Sequence, residues 1–285
     1  MTHRLAPEAC ERAAALSGRC AVVTGGASGV GLALGRRLGL AGMAVVLADI
    51  DEAALETACR SLAVDGIDVR AVVADVSVAE DNEALAELAD GVGPLGAVCL
   101  NAGVALVGRS LLETSVDDWA WVLGVNLWGA VHGTRAFVPR LASQGSGHLV
   151  YTASIASLLP ATSAYQVSKH ALDALATAAR HELAGLAPDV VVTTLYVGPV
   201  ASDIAWSHLR RPARWGGPDG SPPDAADVEA ADAGARRIGM RPDEVADLAF
   251  EAMITERSAV VTHPAQVELL DAHQASLRAA LLEAP

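Results

Sequence analysis

Short apolar runs and longer segments of helical periodicity take turns along the whole chain. The runs "CAVVTG", "AVVLAD", "RAVVADV", "AVCLNAG", "GHLVYTAS" and "VVVTTLYVGP" are rich in Val, Leu and Ala. Between them stand segments such as "GLALGRRLGLAG" and "DEAALETACRSLAVDG", with the apolar spacing of helices. Strands apolar on both faces that alternate with helices predict a parallel sheet covered on both sides. The expected class is therefore α/β, a doubly wound parallel sheet of about seven strands with helices on both faces.

One stretch interrupts the alternation. Residues 211–224, "RPARWGGPDGSPPD", follow the sixth apolar run and precede a last helix-strand unit. A loop of this length inside a compact domain is either a lid over a site or a disordered insertion, and the pattern alone leaves both open.

Composition narrows the function. With 285 residues, 52% of them hydrophobic, the chain has material for one sizeable core. The net charge of −14 repels phosphate backbones and anionic membrane surfaces, so no nucleic acid and no membrane partner is expected. No apolar run reaches the roughly 18 residues of a membrane span, and the N-terminus carries acidic residues where a signal peptide has its apolar core; a cytoplasmic location is expected. Cys10, Cys20, Cys59 and Cys99 form no C-x-x-C pair, and no two histidines have metal-ligand spacing, so no metal is expected.

Candidate chemistry begins after the first strand. "TGGASGVG", Thr24 to Gly31, opens directly into a helix. Glycines permit a tight turn and close backbone approach, and a helix N-terminus offers free N–H groups to a pyrophosphate. Asp49 ends the second strand about 20 residues further on, where a carboxylate can accept from both adenosine ribose hydroxyls and repel a 2′-phosphate. Ser28 and Ile50 stand where a basic residue would favour NADP, so NAD is the preferred cofactor. The competing assignment for Asp49 is a helix N-cap.

Lys169 is the only lysine in the chain, and it follows Tyr165 by four residues on one helical face. An ammonium about 4 Å from a phenol contributes on the order of 4 kcal/mol at an effective dielectric of 20, enough to lower its pKa by up to about three units. A compact ammonium on a flexible stem could also donate to ribose hydroxyls, which a guanidinium does not replace. Ser154, at the end of "HLVYTAS", stands where α/β folds place ligands and could donate to a substrate oxygen. Asn126 interrupts the apolar helical stretch "WAWVLGVNLWGAVHG" and must find hydrogen-bond partners there.

These motifs, in this order, resemble the short-chain dehydrogenase/reductase family, classical type. The resemblance rests on T-G-x-x-x-G-x-G at Thr24, Gly25, Gly29 and Gly31, on Asp75-Val76, on N-A-G at 101–103, and on Asn126, Ser154, Tyr165, Lys169 and "VGPVAS". It is close over about residues 17–204 and loose over 240–265. It implies a single Rossmann-fold domain over 1–285, with a cofactor-binding part at about 17–150, a catalytic and substrate part at about 151–265, and a substrate lid at 203–240. It implies hydride transfer between a nicotinamide and a secondary alcohol or ketone. Tyr165 would be the acid/base, Ser154 would hold the substrate oxygen, Lys169 would bind the nicotinamide ribose, and Asn126 would anchor a relay water. The dinucleotide would lie against Gly25, Ser28, Gly29, Val30 and Gly31, then Asp49 and Ile50, then Asp75 and Val76. Further along it would meet Asn101, Ala102 and Gly103, Tyr165 and Lys169, and finally Gly198, Val200 and Ser202. Three positions depart from the family pattern: Val197 for a common Pro, Ser202 for Thr, and Leu100 for a second Asn. None removes a catalytic group.

The expected substrate wall is apolar. Val104, Ala105 and Leu106, then Ile155, Leu158 and Leu159, then Trp206, Leu209 and Trp215 point to a hydrophobic alcohol or ketone, with Val104, Ile155, Leu159 and Trp206 the chief candidates. His208, Arg210, Arg211 and Arg214 are expected as solvated residues on a mobile lid, and Trp119, Trp121 and Trp128 as packing. The resemblance further implies a homodimer or homotetramer built on the helices carrying Asn126 and Tyr165. Two rivals remain: a non-catalytic NAD-binding regulator, which predicts a broken catalytic set, and an epimerase or dehydratase, which predicts a different glycine spacing and a larger C-terminal domain.

Overall fold

The computed structural model describes residues 6–218 and 222–264, together with Ala275 and Arg278. Among the described residues seven strands form one sheet in the order β3-β2-β1-β4-β5-β6-β7, every pairing parallel. They are β1 (Cys20–Thr24), β2 (Ala44–Asp49), β3 (Val69–Val73), β4 (Leu95–Leu100), β5 (Gly147–Ser154), β6 (Val190–Val197) and β7 (Ala259–Val261). The first six are the six apolar runs. β1, β4 and β5 are buried along their whole length, because helices cover both faces.

The helices are α1 (Pro7–Ala15), α2 (Gly29–Leu40), α3 (Glu52–Val64), α4 (Ala79–Asp90), α5 (Val116–Leu123), α6 (Gly129–Gln144), α7 (Ala164–Leu186), α8 (Ala225–Ile238) and α9 (Pro242–Ile254). One core joins α1, α2, α3 and α9 to one face of the sheet through Leu34, Leu47, Leu62 and Met253. The other joins α4, α6 and α7 to the opposite face through Leu85, Phe137, Leu149 and Leu172. Cys20 and Cys99 lie inside β1 and β4, where burial pushes their thiols up to about 11 and about 12. No described helix is long and apolar enough to cross a membrane.

The strand order reverses between β1 and β4, whose chains leave the sheet in opposite directions. A crevice opens there at the carboxyl ends of the strands, the place where such sheets bind ligands. Three further features frame it. Residues 124–128 form a π-helical turn between α5 and α6, residues 155–158 a 3₁₀ turn after β5, and residues 203–210 and 213–215 two 3₁₀ segments after β6. Within 211–224, the stretch expected as lid or disordered insertion, Ala213–Trp215 form a 3₁₀ turn and Asp224 caps α8, while 219–221 lie outside the described residues.

Candidate functional site

The glycine loop is built for close approach. Gly25 and Gly29 have φ of +64° and +52°, in the left-handed region that side chains resist. A Cβ at Gly31 would collide with the Gly25 carbonyl and come within 2.6 Å of the Asn101 amide nitrogen. Asn101 fixes this arrangement by donating to the Thr24 carbonyl at 3.0 Å, while the Thr24 hydroxyl accepts from the backbone N–H groups of Asn101 and Ala102. The end of β4 is thereby tied to the loop after β1. Ser28 stands at the N-cap of α2 without a side-chain cap bond, so the cap hydroxyl does not occupy the helix N-terminus. That leaves an electropositive cradle suited to a diphosphate.

Asp49 faces the same cleft. Its carboxylate accepts from the Ala27 N–H at 3.1 Å and the Asp51 N–H at 3.2 Å. It does not cap α3: Asp51 does, accepting from the Ala54 N–H. The competing N-cap assignment therefore belongs to the residue two positions on. Asp75 accepts from the Ser77 N–H and hydroxyl, and Asp75 and Val76 both line the cleft.

At the other end β5 and α7 converge. Ser154, the last residue of β5, accepts from the Ala156 N–H and donates to the Val197 carbonyl, both at 3.1 Å. Tyr165 and Lys169 occupy the first turns of α7 and line the cleft. The Lys169 ammonium is buried, donates to the Thr152 carbonyl at 2.9 Å, and lies 5.8 Å from the Tyr165 ring centroid. Burial holds its pKa down to about 8. Burial also holds the Tyr165 hydroxyl above its ordinary value, partly offset by a hydrogen bond with Ser154. The expected depression of the tyrosine by the lysine is thus not what the protein alone shows. Desolvation of the partly buried phenol is the dominant influence on it.

Asn126 finds the partners its setting demands. Its side-chain oxygen accepts from the Val104 N–H at 2.8 Å, and its amide donates to the Val104 carbonyl and the Ser168 hydroxyl, both at 2.9 Å. The side chain therefore pins the loop after β4 to α7. The π-helical turn around it loosens the regular ladder at this point, a frequent device at functional positions.

All seventeen expected cofactor contacts line this one cleft. Of the expected substrate residues, Val104 lines it. Ile155, Leu159 and Trp206 do not: Ile155 is buried in the 3₁₀ turn after β5, and Trp206 packs beside His208 with ring centroids 6.2 Å apart. The apolar wall is made instead by Trp121, Val125, Ile204, Pro212 and Ala235. Trp121 is 1% exposed and serves both core and cleft. Its spacing of four from Val125 on the segment bearing Asn126 was a signal in the sequence that could have found both.

The arginines expected on a lid also differ from expectation. None is a freely solvated charge. Arg210 pairs with Asp51 at 3.1 Å, Arg214 with Asp75 and with the Ser77 hydroxyl, and Arg211 with Asp118 of α5 in a pair whose side chains are 2% and 1% exposed. His208 is buried as well. Sequence reasoning missed all three acids as partners because they lie 93 to 159 residues away.

Comparison with known proteins agrees with this geometry. A family model described as short chain dehydrogenase matches residues 19–212. A 1-deoxy-11-beta-hydroxypentalenate dehydrogenase of Streptomyces exfoliatus is 44% identical over 175 residues, 60% of this chain and 64% of that relative, so the match spans just under two thirds of its length. The like-named protein of Streptomyces avermitilis is 44% identical over 196 residues, covering 64% of this chain and 72% of that one. A solved structure of a short chain dehydrogenase/reductase from Burkholderia phymatum in complex with NAD superposes with a TM-score of 0.86 at 34% identity, covering 93% of this chain and 96% of that one.

Proposed function

Since the chain belongs to the short-chain dehydrogenase family, we propose that it is a nicotinamide-dependent oxidoreductase that interconverts a secondary alcohol and a ketone, with NAD preferred over NADP. The observation that carries this reading is the placement of Tyr165 and Lys169 in the cleft that also holds the glycine loop and Asp49, with Ser154 hydrogen-bonded to Tyr165 at the end of β5. A bound nicotinamide would supply or accept the hydride. The positive-φ glycines, the α2 N-terminus and Asp49 are the residues that would hold the dinucleotide, and their steric and electrostatic character fits it.

The protein's own part is proton handling and orientation. Tyr165 takes the hydroxyl proton of the alcohol or returns one to the ketone. Ser154 turns its hydroxyl from the Val197 carbonyl to the substrate oxygen. Lys169, held by the Thr152 carbonyl, brings a positive charge toward a tyrosinate that burial alone disfavours. Asn126 anchors the relay through its main chain, because its side chain is committed to Val104 and Ser168.

NAD preference is supported by Asp49 at the ribose end and by the NAD named in the Burkholderia phymatum structure. An apolar substrate is supported by the wall of Trp121, Val125, Ile204 and Pro212, and the Streptomyces relatives' names specify a hydroxyl-bearing substrate. The test is the absorbance of reduced nicotinamide with NAD or NADP and a panel of apolar secondary alcohols, polyols and hydroxy acids. Turnover with NAD and an apolar alcohol is expected; nucleotide binding without turnover across a broad panel would favour the non-catalytic rival.

A further inference from the structure

The segment Asp203–Trp215 leaves β6 beside the residues expected at the nicotinamide end and finishes at the opposite end of the cleft. Its start lies near the glycine loop: a Cβ at Gly29 would come within 3.2 Å of the Ser202 Cβ. Its far part reaches the loops after β2 and β3. There Arg210 pairs with Asp51, and Arg214 pairs with Asp75 while lying over the Trp215 ring at 4.1 Å. Trp215 packs in turn on Gly124, where a Cβ would come within 2.9 Å of its ring. Between the two outer arginines, Arg211 is fixed to Asp118 in full burial and lies over Trp121.

The three pairs differ in the one property that sets their strength. The Arg211–Asp118 pair is desolvated, and breaking it would strand a charge in the interior. The Arg210 and Arg214 pairs are partly exposed, screened by salt and cheap to open. One firm attachment flanked by two weak ones describes a strap with a fixed middle and releasable contacts, and the weak contacts sit where the adenosine half of a dinucleotide would lie. Asp49, Ile50 and Asp75 share the cleft with Arg210 and Pro212.

We propose that Arg210 and Arg214 are positioning residues for the nucleotide: they latch the strap 203–215 over the adenosine end of the cleft, through Asp51 and Asp75, and thereby set how fast the dinucleotide leaves. The proposal rests on the reading of this cleft as the cofactor cleft.

The test follows NADH release from the full chain by stopped-flow nucleotide fluorescence, in wild type, Arg210→Gln, Arg214→Gln, Asp51→Asn and the Arg210→Gln/Asp51→Asn and Arg210→Gln/Arg214→Gln double variants. Asn keeps the α3 N-cap, so loss of the helix is not a confounding cause. Each single variant is expected to speed release by up to about fivefold, the change that about 1 kcal/mol gives for an exposed pair. The Arg210/Asp51 double variant should be no faster than either single. Wild-type release should quicken as salt rises from about 0.05 M to about 0.5 M, and the doubly unlatched Arg210→Gln/Arg214→Gln protein should respond far less. NADH that binds but leaves all variants at the wild-type rate would overturn the latch alone, as would slower release from Asp51→Asn. A wild-type chain that binds no NADH or NADPH would overturn the cofactor reading and the latch together.

Discussion

Replacing Arg211 by Met removes the cationic half of the buried pair and leaves the Asp118 carboxylate 1% exposed with one backbone donor, the Ser115 N–H at 3.1 Å. Breaking such a pair from one side costs roughly 3–5 kcal/mol, and the surviving Ser115 bond argues for the lower end, about 3 kcal/mol. For a large single domain that corresponds to a fall in Tm of roughly 6–12 °C. The pH dependence makes the reasoning specific. In the wild type, desolvation raises the Asp118 carboxyl, but the hydrogen bonds from Arg211 and Ser115 outweigh it and hold the group below its ordinary range. That stabilisation is present above the ordinary carboxyl pKa and is lost as pH falls through the depressed one.

In Arg211→Met the balance reverses, because desolvation, the largest influence, is then opposed only by the Ser115 hydrogen bonds. The folded-state carboxyl pKa then rises above the unfolded value, so the deficit is full at about pH 8 and shrinks toward about pH 5 as the proton is taken up. Asp118→Asn tests the other side. It strands the Arg211 guanidinium, which stays charged across that range, so its deficit is flat with pH. The double variant Arg211→Met/Asp118→Asn leaves no buried charge, keeps an amide for Ser115, and is expected within about 1–2 kcal/mol of wild type. Urea unfolding of the four proteins at both pH values measures all of this. A single-variant loss below about 1 kcal/mol, an Arg211→Met loss that does not change with pH, or an additive double variant would each refute the account of a desolvated pair.

Three other outcomes follow from the site. Tyr165→Phe should lower turnover by about 10²–10⁴-fold while the NADH dissociation constant, read by fluorescence, stays within about twofold. Gly31→Ala places a methyl against the Gly25 carbonyl and the Asn101 amide, so a loss of about 1–3 kcal/mol in thermal unfolding and weaker nucleotide binding are expected; unchanged melting would mean the loop yields easily. Lys169, held to about 8 by burial, binds its proton more weakly folded than unfolded, so between about pH 8 and 10 its contribution to stability rises with pH. The stability of wild type relative to Lys169→Met should therefore improve by roughly 2 kcal/mol from about pH 7.5 to about pH 9.5, and a flat difference would show the ammonium to be solvated.

What the chain disclosed by reading alone divides along a physical line. The strands were legible because burial on both faces forces long apolar runs, and a parallel sheet can only be buried on both faces. The glycine loop and the Tyr165–Lys169 pair were legible because their partners lie within a few residues, where spacing fixes geometry. Asp49 and Asp51 show the limit of that: both carboxylates sit at the end of β2, and only the backbone trace tells that Asp51 caps α3 while Asp49 faces the glycine loop. Burial itself was not legible, which is why the tyrosine was expected to be lowered and is instead raised.

The arginines of 210–214 mark the other boundary. A run of Arg210, Arg211 and Arg214 amid Pro and Gly has the composition of a solvated loop, and nothing local distinguishes a guanidinium in water from one sealed against Trp121. Their acids stand on three separate elements, after β2, after β3 and in α5, which only the doubly wound topology brings to one rim. The same folding-back explains why Trp121, Val125 and Pro212 make the apolar wall while Ile155 and Trp206 turn away: a cleft at the switch point is lined by whatever the crossover connections deliver there. In this fold the residues proposed for proton transfer are set by local spacing, whereas the apolar wall of the cleft and the arginine pairs along its rim are long-range products of topology. Substitutions in 203–215 should therefore alter release rates and substrate choice while leaving the Ser154–Tyr165–Lys169 geometry intact.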